Sequence, residues 1–448
     1  MSASPKKPAP APSAPGVHPK RFWSVRPVSD RESGDAVVSN FLLHWFPAKS
    51  YKPSLAWSYS FWLGTISAAL LLLLVVSGLP LLFLYIPSVE RAYASVKDIE
   101  YVITFGFWIR AVHRISAHLM VAAVFLHLVR VFVTGAYKNG SGQGQKREQN
   151  WVLGVAMFLT TLFLSFTGYL LPWDQLAFWA VTVGTNIASS IPAIGPTIRE
   201  LLIGGRTIDQ PTLIRFYVLH VIALPALLGA LFVYHMWRIR KDGGLACADR
   251  AALRSEKAEV APGKTKTYTL LGVARGTAPT IRATSIETPE LTVNSVPDLV
   301  RRAAIVVLGT IGVVSILSVF LRSPLEEPAN ALVTPNPAKA PWYFLWLQEI
   351  VTDTTFKIGS FTINGAFLGG VLLPGALLAL LTAWPWLDRS SGAAAGLWFP
   401  ANRRKQDVIF LVLVLLVVAL TVVGTFLRGP YWHFYWPWQP WPELPSRI

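Results

Sequence analysis

Seven long apolar segments determine what this chain can fold into. Each is long enough to cross a hydrocarbon core of about 30 Å as a helix. Hydrophobic residues make up 53% of the 448 residues and charged residues 14%, which excludes a disordered chain and an ordinary soluble enzyme. The sequence therefore predicts an all-α integral membrane protein with seven transmembrane helices. The segments lie at 56–86, 108–134, 151–172, 213–238, 302–322, 365–387 and 407–427.

A long polar segment after the fourth apolar segment divides the chain into a four-helix part and a three-helix part. The first twenty residues are rich in Pro, Ala and Ser, and they lack the apolar core of a cleaved signal peptide. The predicted regions are a flexible or amphipathic N-terminal segment 1–50, a four-helix domain 51–245, a cytoplasmic linker 246–300, a three-helix domain 301–430 and an aromatic tail 431–448.

The net charge of +16 is carried by the loops and the N-terminal tail. In a soluble chain it would suggest a nucleic-acid partner. Here 27 of the 40 Lys and Arg residues lie on one side of the seven segments, which is typical of loop orientation in a membrane. We therefore predict lipid rather than nucleic acid as the partner. We also predict a multi-pass protein of a bacterial-type inner membrane, with a cytoplasmic N-terminus and an outer C-terminus.

Five histidines lie inside two of the apolar segments, and four of them form two spaced pairs. His113 and His127 are fourteen residues apart, and His220 and His235 are fifteen apart. Fourteen helical steps return to within about 40° of the starting face, while fifteen miss it by about 60°. Pro225 lies between the second two and can absorb part of that difference through a local bend. Both segments run inwards, so His113 should lie level with His220 (the outer pair) and His127 with His235 (the inner pair). The two pairs should then be about 21 Å apart along the helices.

Facing histidines inside an apolar bundle indicate bis-imidazole ligation of haem iron. The alternative for a single intramembrane histidine is a hydrogen-bonded packing residue, but four histidines in matched pairs fit that alternative poorly. His118 has no partner in the fourth segment and is interpreted as packing or polar lining. His18, His44 and His433 lie outside the bundle, so we predict no ligand role for them.

Two glycine pairs repeat the histidine spacing. Gly64 and Gly78 are fourteen apart in the first segment, as are Gly154 and Gly168 in the third. A missing side chain would let a flat macrocycle approach the backbone. The alternative is close helix–helix packing, which also favours small residues in membranes.

Four arginines flank the histidines in sequence. A guanidinium is a good partner for a haem propionate, because it forms charge-assisted hydrogen bonds with carboxylates. Snorkelling at a helix end is the alternative, and it suits Arg130 and Arg215 in particular. The four residues are Arg110, Arg114, Arg130 and Arg215.

Three stretches resemble cytochrome b of the quinol:cytochrome c reductases. They are residues 109–138, 168–180 and 215–243, and the likeness extends over roughly 50–430. The fifteen-residue histidine spacing and the Pro-Trp-Asp at 172–174 are more similar to the chloroplast-type protein. The last three helices then resemble its separate subunit IV, here fused to the same chain.

The resemblance implies two b-type haems, one low-potential haem on the outer pair and one on the inner pair. It implies quinol oxidation near the outer haem, with a Rieske iron–sulfur protein or a c-type cytochrome as acceptor, in a homodimeric complex. Arg240 and Lys241 would line the quinone-reducing site, although a plain cytoplasmic anchor is an equal alternative. The chloroplast-type protein attaches an extra haem through a cysteine, but that position is Trp62 here, so we expect only non-covalent haems.

The quinol-oxidation motif departs from the family pattern. The family has Pro-Glu-Trp-Tyr, and this chain has Pro341 in place of the glutamate, followed by Trp342 and Tyr343. Glu349 lies six residues later on a predicted short helix and could accept the quinol proton if it is half-buried. The alternative is that Glu349 faces solvent. Asp174 is a second candidate.

The leading hypothesis is a dihaem cytochrome b subunit of a membrane quinol oxidoreductase. The altered motif suggests a variant whose acceptor is not a Rieske protein. A haem-containing membrane anchor of a dehydrogenase or hydrogenase is a further alternative, but such anchors usually lack the last three helices. A transporter would be expected to have inverted repeats and broken helices, and the sequence gives no sign of them.

Overall fold

The computed structural model describes residues 49–139, 145–242, 244–246, 266–267, 280–281 and 292–442. The predictions made for residues 1–48, for most of the linker 246–300 and for residues 443–448 lie outside this part of the chain.

Among the described residues, seven helices are long and apolar enough to cross a membrane. They are Leu63–Leu84, Gly106–Val133, Arg147–Leu170, Gln210–Lys241, Ser295–Phe320, Gly365–Leu387 and Ala401–Leu427. The predicted all-α membrane fold with seven spanning helices is confirmed. The helices of nine or more residues are α1 Leu63–Leu84, α2 Ala92–Tyr101, α3 Gly106–Val133, α4 Arg147–Leu170, α5 Gln175–Ser189, α6 Gly195–Ile203, α7 Gln210–Lys241, α8 Ser295–Phe320, α9 Trp342–Asp353, α10 Gly365–Leu387 and α11 Ala401–Leu427.

Strands are short and lie outside the bundle. Lys49–Tyr51 pairs antiparallel with Thr292–Asn294, and Phe356–Ile358 pairs antiparallel with Phe361–Ile363. Lys266–Thr267 pairs in parallel with Thr280–Ile281.

The first spanning helix begins seven residues later than the hydropathy pattern predicts. The chain forms one helical turn at Trp57–Ser60 and then breaks, because Phe61 and Trp62 adopt left-handed φ angles of 48° and 54°. α1 therefore starts at Leu63. Apolar composition marks the membrane segment, but it carries no information about where the backbone leaves the helical region.

A π-helical turn at Leu219–Ala223 interrupts α7, just before Pro225. Such a turn accommodates one extra residue, and it is a recognised cause of local helix distortion. The fifteen-residue interval from His220 to His235 therefore spans nearly the same rotation as fourteen residues of regular helix. The local adjustment expected at Pro225 thus lies just before it, in the form of this turn.

The four-helix and three-helix parts contact each other at both ends of the bundle. At one end Arg403, which is 1% exposed, donates to Asp388 (3.0 Å), to the Tyr137 hydroxyl (2.7 Å) and to the Phe132 carbonyl (3.0 Å). Beside this cluster the rings of Phe132 and Phe410 stack with centroids 3.7 Å apart. These contacts join the end of α3 to α10 and α11.

At the other end, residues 171–209 contain the short helices α5 and α6. The segment that follows α8 runs beside the start of α5. The amide of Gln175 donates to the Glu327 carbonyl (2.9 Å), and the amide of Ala329 donates to the Trp173 carbonyl (3.1 Å). Deeper in the bundle, the Trp108 indole donates to the Ser315 carbonyl (3.1 Å) and links α3 to α8.

Candidate functional site

The outer pair comes together between α3 and α7. The ring centroids of His113 and His220 are 6.2 Å apart, with the ring planes at 75°. The side chains that the sequence places on one level therefore face each other across the interior of the four-helix part.

Neighbouring helices fix the tautomer of both outer rings. Ser77 on α1 donates its hydroxyl proton to the Leu73 carbonyl (2.6 Å), so its oxygen accepts from His113 Nδ1 at 3.0 Å. His220 Nδ1 donates to the Leu164 carbonyl on α4 at 3.1 Å. With the proton on Nδ1, each ring keeps an unprotonated Nε2, the form in which histidine binds iron.

The glycines of α1 and α4 lie against these rings. A Cβ added to Gly168 would overlap the His220 ring, and one on Gly78 would lie 3.2 Å from His113 Cε1. Any larger residue at Gly168 would push the imidazole from its position, so the ring orientation depends on the missing side chain.

The inner pair has a different environment. The Nδ1 atom of His127 is buried and has no hydrogen-bond partner among the described residues, whereas His235 interacts with the backbone of Asn150. Gly64 lies against His127, where an added Cβ would lie 3.3 Å from Cε1, whereas a Cβ on Gly154 would meet nothing within 4 Å. Buried polar atoms without partners cost free energy, so the Nδ1 of His127 marks a site that the described side chains do not complete. Space beside Gly154 and two neutral imidazoles fit a flat, metal-centred ligand such as haem.

The four arginines have different surroundings. Arg110 is buried in an ion pair with Glu100 (2.7 Å) and donates to the Ser323 and Pro324 carbonyls. Arg215 donates to the Leu201 carbonyl at the end of α6. Arg130 lies over the Tyr59 ring, 4.7 Å from its centroid.

Arg114 follows His113 directly and is half-buried. The described residues offer its guanidinium neither a hydrogen bond nor an ion pair. A half-buried, always protonated guanidinium in an apolar bundle favours an anionic ligand. Of the four, Arg114 thus fits a propionate best, while the contacts of Arg110 and Arg215 hold loops in place.

Helix α9 begins with Trp342 and Tyr343, and it is the short helix that the sequence predicts. Tyr343 is buried, and burial raises the pKa of its phenol to about 12, so it stays protonated. Trp342 is 41% exposed, and its indole Nε1–H donates to His118 Nδ1 at 3.1 Å. The rings of His118 and Tyr343 are 5.8 Å apart. The sequence pattern gives no sign that Trp342 is the partner of His118, because the two residues are 224 positions apart in the chain.

Glu349 neither faces solvent nor is half-buried. It is 1% exposed and forms an ion pair with Arg428 at the end of α11, whose Nε lies 2.9 and 3.1 Å from the two carboxylate oxygens. Nothing in the local sequence signals this partner, since Arg428 lies 79 residues away.

Asp174 caps the N-terminus of α5. Its Oδ1 accepts from the Ala177 amide (2.9 Å) and its Oδ2 from the Glu326 amide (3.3 Å). Burial raises the pKa of this carboxyl group, although the amide hydrogen bonds oppose the shift. Both oxygens are therefore occupied in holding α5 against the segment after α8.

At the far end of α7, Lys241 lies 4.6 Å from the centroid of the Trp237 ring, and Arg240 precedes it in the last turn. The buried basic residue there is Arg238, which pairs with Asp242 (2.8 Å) and donates to the Lys146 carbonyl (3.0 Å). The sequence does not single out Arg238.

The bundle and its histidine pairs define a class of integral membrane proteins with room for a flat cofactor between helices. Residues 48–243 match the family model "Cytochrome b/b6/petB", and residues 328–436 match "Cytochrome b(C-terminal)/b6/petD". The chain belongs to the cytochrome b family. It is thus the core catalytic subunit of a quinol oxidoreductase complex, with b-type haems implied by the family.

Similar proteins come from two branches. The chain is 30% identical to a cytochrome b of Rhodobacter capsulatus over 397 residues, which is 83% of this chain and 82% of the relative. It is 43% identical to a cytochrome b6 of Stigeoclonium helveticum over 181 residues, which is 40% of this chain and 81% of the relative. Among solved structures it is similar to a chain of a hyperthermophilic respiratory Complex III, with a TM-score of 0.62, 25% identity and 86% of both chains covered.

Proposed function

We propose that this chain is a dihaem cytochrome b that carries electrons across the bilayer between two quinone sites. The observation that carries the proposal is the outer pair, in which His113 and His220 face each other at 6.2 Å with both Nδ1 atoms engaged by neighbouring helices. That arrangement leaves two unprotonated Nε2 atoms in an apolar interior, and bis-imidazole ligation of haem iron uses such atoms.

In this proposal His113 and His220 hold the outer haem, and His127 and His235 hold the inner one. A bound b-type haem supplies an iron that takes up and releases one electron. Ser77 and the Leu164 carbonyl orient the outer ligands through their second nitrogens, which also raises ligand basicity.

The remaining side chains position the ligands. Arg114 and Arg130 pair with propionates, and the glycines of α1 and α4 leave room for the macrocycles. Trp342 and Tyr343 line the quinol-oxidising site, beside α3 and α4. Arg240 and Lys241 line the quinone-reducing site at the opposite end of α7.

The proposed partners are quinol, membrane lipid and an outer one-electron acceptor, namely a Rieske iron–sulfur protein or a c-type cytochrome, in a homodimeric complex. The solved relative is described as a respiratory Complex III, which supports such partners. The proposed location is a bacterial-type inner membrane, with the N-terminus in the cytoplasm and the C-terminus outside, on the strength of the basic loops.

Quinol-dependent reduction tests this function. The complex purified through a tag on this chain should reduce added cytochrome c when quinol is supplied, and its b-type absorbance should rise when the acceptor is left out. A complex that holds haem but takes no electrons from quinol would contradict the proposal.

The absence of a glutamate at Pro341 favours a second version, in which the outer acceptor is another iron–sulfur or multihaem protein. Reconstitution with a Rieske protein distinguishes the two. Restored cytochrome c reduction supports the first version, whereas quinol-dependent haem reduction without electron transfer to the Rieske protein supports the second.

A further inference from the structure

The quinol-oxidising motif lacks its carboxylate, yet quinol oxidation releases protons that need an acceptor. Pro341 has no group that can accept one. Glu349 is fully buried in an ion pair with Arg428, and both oxygens of Asp174 accept backbone amides. Tyr343 stays protonated because burial raises its pKa. None of these four residues offers a free basic atom at the motif.

His118 offers such an atom. The Trp342 indole donates to His118 Nδ1 at 3.1 Å, and an indole N–H can only donate. Nδ1 must therefore be unprotonated in this contact, and the neutral ring carries its proton on Nε2. The basic lone pair of His118 thus points at the first aromatic residue of the motif.

The surroundings of this contact suit an apolar ring that carries hydroxyl groups. His118 is half-buried on α3, five residues from the proposed haem ligand His113, and Trp342 keeps 41% of its surface exposed. The Tyr343 ring forms the neighbouring wall, with its centroid 5.8 Å from that of His118. Both aromatic rings border the place where a quinol hydroxyl would meet Nδ1.

We infer that His118 is the base that takes a proton from the quinol hydroxyl, in place of the glutamate that Pro341 replaces. The inference rests on the proposed quinol oxidation. A quinol hydroxyl is a donor like the indole N–H, so it takes the place of Trp342 on Nδ1 when that side chain turns away.

The proton transfer balances in atoms and electrons. The quinol O–H bond breaks, its proton forms an N–H bond on Nδ1, and the electron pair of the O–H bond stays on the quinol oxygen. Two one-electron acceptors, the external acceptor and the haem pair when bound, would take the two electrons, and the second quinol proton passes to water. Loss of the Nδ1 proton to water then restores the starting tautomer, with Nε2 protonated and Nδ1 free.

Arg114 is the charged side chain that acts on His118 within the described part of the chain, from one turn earlier on α3. Its positive charge opposes an imidazolium. The aromatic side chains of Trp342 and Tyr343 face the ring without charge. A haem propionate paired with Arg114, as proposed above, would offset the effect of this positive charge on the His118 imidazolium.

Rescue by the family's own residue tests the inference. In the purified complex, His118→Gln keeps a hydrogen-bonding side chain but removes the base. We expect its quinol-oxidation kcat to fall about 100-fold or more, with two haems still bound. Adding Pro341→Glu to His118→Gln should raise this kcat at least tenfold, because it returns a carboxylate to the motif. His433→Gln, an exposed histidine outside the bundle, is the matched control and should leave the rate unchanged.

The pH profile separates a base from a packing residue. The wild-type kcat/KM should fall on the acid side as His118 becomes protonated, and this acid limb should disappear in His118→Gln. An acid limb that His118→Gln retains overturns the inference. An unchanged rate in His118→Gln, or a loss that Pro341→Glu does not relieve, overturns it as well. A wild-type complex that oxidises no quinol would instead contradict the proposed function itself.

Discussion

The outer histidine rings owe their orientation to single atoms on neighbouring helices. Ser77 on α1 and the Leu164 carbonyl on α4 each engage one Nδ1, so two helices besides α3 and α7 fix the two rings. Of the inner rings, His127 has no such partner among the described residues. This difference gives the two proposed haems different ligand environments.

Ser77 tests the effect of one hydrogen bond. Ser77→Ala removes the acceptor of His113 Nδ1, which lowers the basicity of that ligand and favours the reduced iron. We expect the midpoint potential of the outer haem to rise by on the order of 40 mV, the one-electron equivalent of about 1 kcal/mol. Ser67→Ala on the same helix is the control, since Ser67 bonds only to its own helix. Equal shifts in both variants would argue against the orienting role.

Gly168 tests the fit of the outer site. A methyl group there would overlap the His220 ring. The Gly168→Ala protein should therefore contain one haem per chain instead of two, as a pyridine haemochrome assay would measure. Gly229→Ala on α7, where a Cβ meets nothing within 4 Å, is the control and should retain both. Two haems in the Gly168 variant would show that the ring does not hold a cofactor in this orientation.

At the scale of the element, the π-helical turn in α7 lets His220 and His235, fifteen residues apart, match His113 and His127, which are fourteen apart. Without it, His235 would point about 60° away from the face of His220. The sequence alone gives the misfit and the nearby Pro225, but which turn takes up the extra residue depends on packing against α4.

Two single-residue deletions in α7 test this explanation. Deleting Val221 removes a residue within the π-helical turn, so regular helix should form and both haems should bind. Deleting Leu231 shortens the same interval outside the turn, so it should rotate His235 by about 100° and abolish one haem. Haem content per chain measures both outcomes. Equal loss in the two deletions would contradict the explanation.

A buried ion pair between Glu349 and Arg428 holds helix α9 in its place in the bundle. Glu349→Gln leaves the Arg428 guanidinium without its main countercharge, which should cost about 3 kcal/mol of stability. We expect a lower thermal midpoint and a lower quinol-oxidation rate, but an unchanged acid limb in the pH profile. The double variant Glu349→Gln with Arg428→Gln should regain part of the stability. A lost acid limb in Glu349→Gln would identify Glu349 as the base and contradict the role of His118.

At the scale of the whole molecule, the apolar segments and the histidine spacing are enough to predict seven spanning helices and a facing outer pair. Both depend on period and length, which a sequence displays directly. The contacts of Glu349, of His118 and of Arg403 are not predictable in this way, because each joins elements that are distant in the chain. The left-handed break at Phe61 and Trp62 escapes prediction because hydropathy does not report backbone conformation.

The two parts of the chain form one bundle through Arg403 at one end and through the segment after α8 at the other. A cytochrome b6 covers only the first part, at 40% of this chain. The fused chain thus keeps Trp342 and Tyr343 of the second part against α3 of the first, where His118 lies.

The most direct test is a haem measurement on the purified chain in its complex. A pyridine haemochrome assay should give two b haems per chain, and a potentiometric titration should resolve two midpoints. His113→Leu should remove one of the two midpoints and leave the other. One haem in the unaltered chain would contradict the pairing of the histidines, and none would contradict the proposal that this bundle carries electrons.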